Sequence, residues 1–220
     1  AAAGAEGTAW EMPGTRWFKQ TLERRPFLRN VSIMLTGTTG GQLVSILLAP
    51  VLTRLFTPQQ FGVLSVYLAL VSILAVIASL RYELTIPLAS TDEDAINLVA
   101  VCACALTVTT AVVTGTSILF PESLIKVLWP TPLHELQLLI YRCLLPVGFF
   151  CLGGYCMALY LATRAAAFNL IAISRFAQGV VGPVSQILMG LVGAGAPGLL
   201  VGSILGQSTG TFGLLRRILI

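Results

Sequence analysis

The arginines are the side chains of this sequence best placed to do chemistry, because two of them border or interrupt long stretches that carry no other charged group. Arg54 closes the first such stretch, and YRCLLP places Arg142 about a turn and a half inside another, just before the helix-perturbing Pro146. An arginine at bilayer depth costs at least roughly 2.5 kcal/mol on insertion scales, so it faces a cavity or a partner, or it snorkels to the headgroups. Its planar fork suits the oxygens of a phosphate. The run Asp92-Glu93-Asp94 has the composition of a metal-holding carboxylate cluster. Thr91, however, stands three residues before Asp94 at the start of an apolar run, which favours helix capping. Cys102, Cys104, Cys143, Cys151 and Cys156 are scattered through apolar stretches without a CxxC pair and read as small apolar fillers. The single histidine, His134, sits beside Glu135 in a loop. No cofactor or metal site is expected, and no enzymatic activity.

The elements that must hold these groups are set by hydropathy. With 56% hydrophobic and 10% charged residues and a mean hydropathy of +0.88, the chain has too little polar surface to cover a water-soluble globule. Charge-free runs cover 30–53, 55–80, 95–121, 143–163 and 176–215. A bilayer core is crossed by about 20 apolar residues, so four runs are one span each. The fifth is two, divided by VGAGAPG at 192–198. The expected architecture is therefore an all-α membrane protein. It has a cytoplasmic tail over 1–29, partly disordered, and a six-helix transmembrane lobe over 30–220. The spans are placed at about 31–53, 61–80, 95–119, 137–161, 174–193 and 197–215. Trp10 and Trp17 in the tail and Trp129 in the outer loop are candidate interfacial anchors. No removable signal peptide is expected, since the first apolar run is already span-length.

Ten of the thirteen Lys and Arg fall on one side of this map, namely Arg16, Lys19, Arg24, Arg25, Arg29, Arg81, Arg164, Arg175, Arg216 and Arg217. The positive-inside rule then puts both termini in the cytoplasm. Ser65, Ser72, Ser79 and Glu83 recur on nearly one face of span 2, if the helix continues that far. Thr107, Thr110, Thr114 and Ser117 do so in span 3. Gln178, Gly182, Ser185, Gln186 and Met189 line span 5, and Ser32, Thr36, Thr39 and Gln42 line span 1. Four polar stripes suggest a shared wet cavity, although any one of them could instead glue helices together. Gly198, Gly202, Gly206 and Gly210 form a GxxxG ridge on span 6, read as a packing surface. Arg81 and Glu83 close span 2, two residues apart and therefore pointing in different directions.

RLFTPQQFG (54–62), RYELTIPLA (81–89), TDEDAINL (91–98) and GAGAPGLLVGSILGQ (193–207), taken in order and at this spacing, resemble the N-terminal half of a polysaccharide biosynthesis flippase. The resemblance is to the O-antigen (Wzx-type) branch of the multidrug/oligosaccharidyl-lipid/polysaccharide (MOP) exporter superfamily and covers nearly all of 30–217. It implies transport of an undecaprenyl-diphosphate-linked oligosaccharide from the inner to the outer leaflet of the bacterial inner membrane, by alternating access and without ATP hydrolysis. It also implies two MATE-like lobes around a cationic cavity, whereas 220 residues hold one. The partners expected are the lipid-linked oligosaccharide, membrane lipids, a second six-helix lobe or another copy of the chain, and polysaccharide polymerase machinery; nucleic acid is not among them. On this reading Arg54, Arg142, Gln178, Gln186, Ser65 and Ser72 are cavity candidates. Arg81 and Glu83 form an inner gate or ion-coupling site, and RLFTPQQFG is an outer hinge at Pro58 and Gly62. The alternatives are half of a cation or drug antiporter, a membrane-embedded transferase and a non-transporting structural partner. An antiporter would keep acidic residues deep in its spans, and this sequence has none there.

Overall fold

The computed structural model describes residues 26–78, 81–119 and 135–218. These form six α-helices: α1 (Pro26–Leu55), α2 (Pro58–Ala78), α3 (Asp92–Leu119), α4 (Glu135–Arg164), α5 (Phe168–Leu191) and α6 (Gly195–Ile218). A short 3-10 segment, Tyr82–Leu88, links α2 to α3. Most of the tail, Ser79, the loop around Trp129 and His134 lie outside the described residues. The fold is all-α among the described residues and of the membrane type. Four helices, α1 to α4, are long and apolar enough to cross a bilayer. Their outward faces are apolar, with Leu47 75% and Ile46 67% exposed, a surface suited to hydrocarbon and not to water.

The turn after α1 is built more firmly than a hinge. Thr57 is the N-cap of α2, Pro58 its first residue and Gln60 its third. Thr57 N–H donates to Gln60 Oε1 at 2.9 Å, and Gln60 N–H donates to Thr57 Oγ1 at 3.4 Å, a reciprocal capping box. Phe56 and Phe61 flank it edge to face with ring centroids 6.3 Å apart, completing a hydrophobic staple. Phe56 is buried with Leu52 and Leu199. The expected hinge at Pro58 and Gly62 is thus a pinned corner.

Both C-terminal caps that follow are Schellman turns. After α5, Ala194 N–H donates to Met189 O and Gly193 N–H to Gly190 O, with Gly193 at φ 76°. After α4 the same pattern joins Ala167 to Ala162 and Ala166 to Thr163, but the left-handed position is Ala166, at φ 50°. A Cβ there is unfavourable by roughly 1 kcal/mol. Ala166→Gly is therefore expected to stabilise the protein by about 0.5 to 1 kcal/mol, read as a higher unfolding midpoint in detergent.

Helix α5 is the centre of the bundle, packed extensively on α1 on one side and on α6 on the other. Glycine makes both contacts close. A Cβ on Gly179 would lie 2.5 Å from the Gly41 backbone, and one on Gly37 would lie 2.5 Å from Ala172 O. On the other side the predicted ridge of α6 meets α5 step by step: Gly198 against Met189, Gly202 against Gln186, Gly206 against Gly182 and Gly210 against Gln178. The polar stripe foreseen on span 5 thus faces this ridge. Helices α3 and α4 pack on each other and on the 3-10 segment, and α4 also contacts α2 and α6.

Arg164, at the end of α4, fastens the loop between α2 and α3. Its guanidinium donates to Ile86 O, Ala89 O and Thr91 O and to Asp92 Oδ1 at 3.0 Å. Asp94 N–H donates to Thr91 Oγ1 at 3.1 Å, so the acidic run is the capped start of α3. Asp92 is 97% exposed, so its ion pair is worth little. Arg164→Ala is expected to cost about 2 to 3 kcal/mol and to open this loop to protease, whereas Asp92→Ala costs under about 1 kcal/mol.

Candidate functional site

A polar cleft of 340 Å³ opens between α1, α5 and α6. Thr38, Gln42 and Ser45 enter from α1, and Arg175, Gln178, Gly179 and Gly182 from α5. Ser203, Gly206 and Gln207 come from α6, and Leu68 of α2 closes one wall. The glycine contacts create it: where Gly41, Gly179, Gly182 and Gly206 withhold side chains, backbones touch and the neighbouring polar residues are left at the rim. By contrast the hollow of 240 Å³ between α3, α4 and α6, near Leu106, Phe150 and Met157, is almost wholly apolar.

Arg175 is the cation of the cleft. Because α5 begins at Phe168 and not near 174, Arg175 lies two turns inside a helix, about 10 Å along its axis. Its guanidinium carbon stands 5.3 Å from the centroid of the Tyr155 ring, whose residue is buried. Stacking on an aromatic face fixes the plane of a guanidinium and leaves its N–H edge for an anion. Gln178 Nε2 reaches Ser174 Oγ at 3.5 Å, and Ser174 Oγ donates to Gly210 O at 3.2 Å. Gln207 Oε1 and Tyr155 Oη are buried with no hydrogen-bond partner.

Of the cavity candidates named from the sequence, Gln178 lines this cleft and Arg54, Arg142, Gln186, Ser65 and Ser72 do not; of the stripe and ridge residues, Gln42, Gly182 and Gly206 line it as well. Gln186 Nε2 donates to Leu199 O at 3.1 Å and braces the α5–α6 hairpin. Ser65 and Ser72 are exposed on α2, and the Ser65 hydroxyl is turned back to Phe61 O of its own helix. Arg54 is exposed at the end of α1. Arg142 lies in α4, two turns from its start, with Nε buried and without a partner. The helix of Ser65 and Ser72 is described only to Ala78. Arg81 then adopts φ 62° and Glu83 belongs to the separate 3-10 segment, so Glu83 does not extend the serine stripe. Glu83 is buried between α3 and α4. Arg81, Glu83 and Arg175 all lie within electrostatic range of Cys156, which brings the predicted gate pair and the cleft cation to one region of the bundle.

The hydroxyl stripes of α1 and α3 do not converge on a common cavity. Ser32, Thr36, Thr107, Thr110, Thr114 and Ser117 each donate to a carbonyl of their own helix four residues earlier. A hydroxyl that does join helices is on Thr109, which donates to Ala78 O of α2 at 2.8 Å. Arg175, Gln207 and Ser45 were the groups missed. A charge near a span boundary is naturally counted as a loop charge, and only the one-face spacing of Arg175, Gln178 and Gly182 signals otherwise.

Set against protein-family models, curated proteins and solved structures, the chain matches none.

Proposed function

We propose that this chain forms one six-span lobe of a MOP-type flippase and that its cleft receives the head of an undecaprenyl-diphosphate-linked oligosaccharide. In this reading α5 and α6 are spans as well, their polar faces turned inward to the cleft. The lobe sits in the bacterial inner membrane with both termini cytoplasmic and works by alternating access, opposite a second lobe or a second copy. The observation that carries the reading is the cleft itself. The exposed guanidinium of Arg175, backed by an aromatic ring, lines with amides and hydroxyls a cleft in a bundle whose outer surface is hydrocarbon-like.

The chemistry is one of solvent replacement. A diphosphate entering the bundle must exchange its hydration for charged donors, which Arg175 supplies, while sugar hydroxyls exchange theirs for Gln42, Gln178, Gln207 and the α1 hydroxyls. The transferase reading would draw on Asp92 to Asp94, of which the Asp92 carboxylate pairs with Arg164 and Asp94 gives its backbone N–H to the Thr91 cap of α3. In this reading Arg81 and Glu83 form the inner gate or coupling site, a role supported by their acting, like Arg175, on Cys156.

The test is reconstitution of the chain in vesicles containing a fluorescent polyprenyl-diphosphate-linked sugar. The expected result is faster transfer of the label to the leaflet reached by an impermeant quencher than in protein-free vesicles. Equal rates would overturn the proposal.

A further inference from the structure

Pro183 lies inside α5 and has no N–H, so it gives no helical hydrogen bond to the carbonyl of Gly179 one turn earlier. A hydroxyl from the neighbouring helix takes that place: Ser45 Oγ of α1 donates to Gly179 O at 3.0 Å. The same Oγ lies 3.1 Å from Gly41 O in its own helix. A serine hydroxyl has one proton, so it serves one of these carbonyls well and the other poorly. Ser45 therefore has two resting partners, and Gly179 O has a donor that can leave without being stranded.

Gly179 and Ser45 line the polar cleft, and so does Gln207, the residue whose Oε1 is buried without a donor. A buried acceptor with no partner is costly, so Gln207 Oε1 gains from any donor that reaches it. The cleft thus holds one acceptor without a donor, Gln207 Oε1, and one, Gly179 O, whose donor is a hydroxyl shared with Gly41 O. Both are uncharged, and Arg175 stands nearby, so a cationic donor is disfavoured while a neutral O–H donor beside an anion is not.

We infer that Gly179 O and Gln207 Oε1 form a hydroxyl-recognising subsite, in which Ser45 is a placeholder that returns to Gly41 O when a cargo hydroxyl arrives. The ligand class is a sugar carrying a phosphate: the phosphate goes to Arg175 and ring hydroxyls go to the two acceptors. The inference rests on the cleft being the cargo site and adds the acceptor pair, a proline-freed backbone carbonyl and the Gln207 amide oxygen, that reads the sugar there. Specificity for the sugar then lies in α5 and α6 backbone and amide oxygens, and a bare phosphate satisfies only half of the cleft.

The experiment compares glucose 1-phosphate with butyl phosphate by titration calorimetry on the purified full chain. The sugar phosphate is expected to bind about threefold to tenfold more tightly, the worth of about one neutral hydrogen bond. Pro183→Ala restores an N–H to Gly179 O, and Gln207→Leu removes the second acceptor. Each is expected to bring the ratio towards one with butyl phosphate affinity unchanged. Ser45→Ala removes the competitor and is expected to raise the ratio. Should Pro183→Ala fail to elute as the wild type does, Gln207→Leu decides the matter. Equal binding of the two ligands by the wild type, or a ratio that survives in Gln207→Leu, would overturn the subsite. Transport of polyprenyl-diphosphate sugar without such discrimination would overturn the subsite and spare the flippase reading. Discrimination without transport would do the reverse.

Discussion

Gly179→Leu is expected to yield a protein that does not hold α1 against α5. A Cβ at this position would stand 2.5 Å from both Cα and O of Gly41, and backbone atoms cannot rotate out of the way as a side-chain tip can. Overpacking a tight interface usually costs about 1 to 3 kcal/mol, and a clash with backbone on both helices lies at or beyond the top of that range. The Ser45 to Gly179 hydrogen bond would be lost with it. At about 2 to 4 °C per kcal/mol for a chain of this size, the unfolding midpoint should fall by about 10 °C or more, measured by size-exclusion after heating in detergent. Gly115→Ala is the matched control. Its Cβ would meet nothing within 4 Å, so helix propensity alone acts and the midpoint is expected to hold or rise slightly. Equal loss in both variants would mean that the glycine contacts do not organise the bundle.

Arg175→Ala is expected to abolish most transport while leaving the bundle folded. The stability at stake is small, since a cation over an aromatic ring at an exposed position contributes about 0.5 to 1 kcal/mol. The binding at stake is larger. Each hydrogen bond to a charged group is worth about 1.5 to 3 kcal/mol, and every 1.4 kcal/mol is tenfold in affinity. A fall of about tenfold to a hundredfold in the flipping rate is therefore expected. Arg175→Lys should recover part of it, as a point charge without the fork. Arg54→Ala should have a much smaller effect, because Arg54 lies at the exposed end of α1 and away from the cleft. A larger loss on removing Arg54 than Arg175 would move the anion site to the end of α1.

Hydropathy showed where the helices are, because the need to bury backbone polar groups in hydrocarbon leaves few other solutions. The ridge of Gly198, Gly202, Gly206 and Gly210 was legible for a similar reason, since a repeat of four small residues has one geometric use. What the ridge touches was not legible. Gln178, Gly182, Gln186 and Met189 form a face that periodicity reveals, but periodicity does not say whether a face meets water, lipid or another glycine row. Arg175 counts toward the cytoplasmic charges because it stands at the expected start of span 5, and the start of α5 at Phe168 instead puts it two turns inside the helix. The hydroxyl stripes misled in a different way. Threonine and serine in a helix can satisfy themselves on the preceding turn, so their alignment on one face carries little information about a cavity. The polar pair that matters, Ser45 and Gly179, is fixed by a proline on a different helix from the serine, a relation visible only once α1 and α5 are side by side.

On the proposed function, the cleft between α1, α5 and α6 is water-filled within the membrane and holds the cargo's polar head. This is tested most directly by thiol accessibility in vesicles. In a chain whose five native cysteines are replaced, Gln178→Cys is exposed to an impermeant thiol reagent, with Ile46→Cys on the apolar outer face of α1 as reference. Rapid labelling at 178, little at 46, and protection at 178 alone when a polyprenyl-diphosphate-linked sugar is present are expected. No labelling at 178, or labelling that the lipid-linked sugar leaves unchanged, would contradict this.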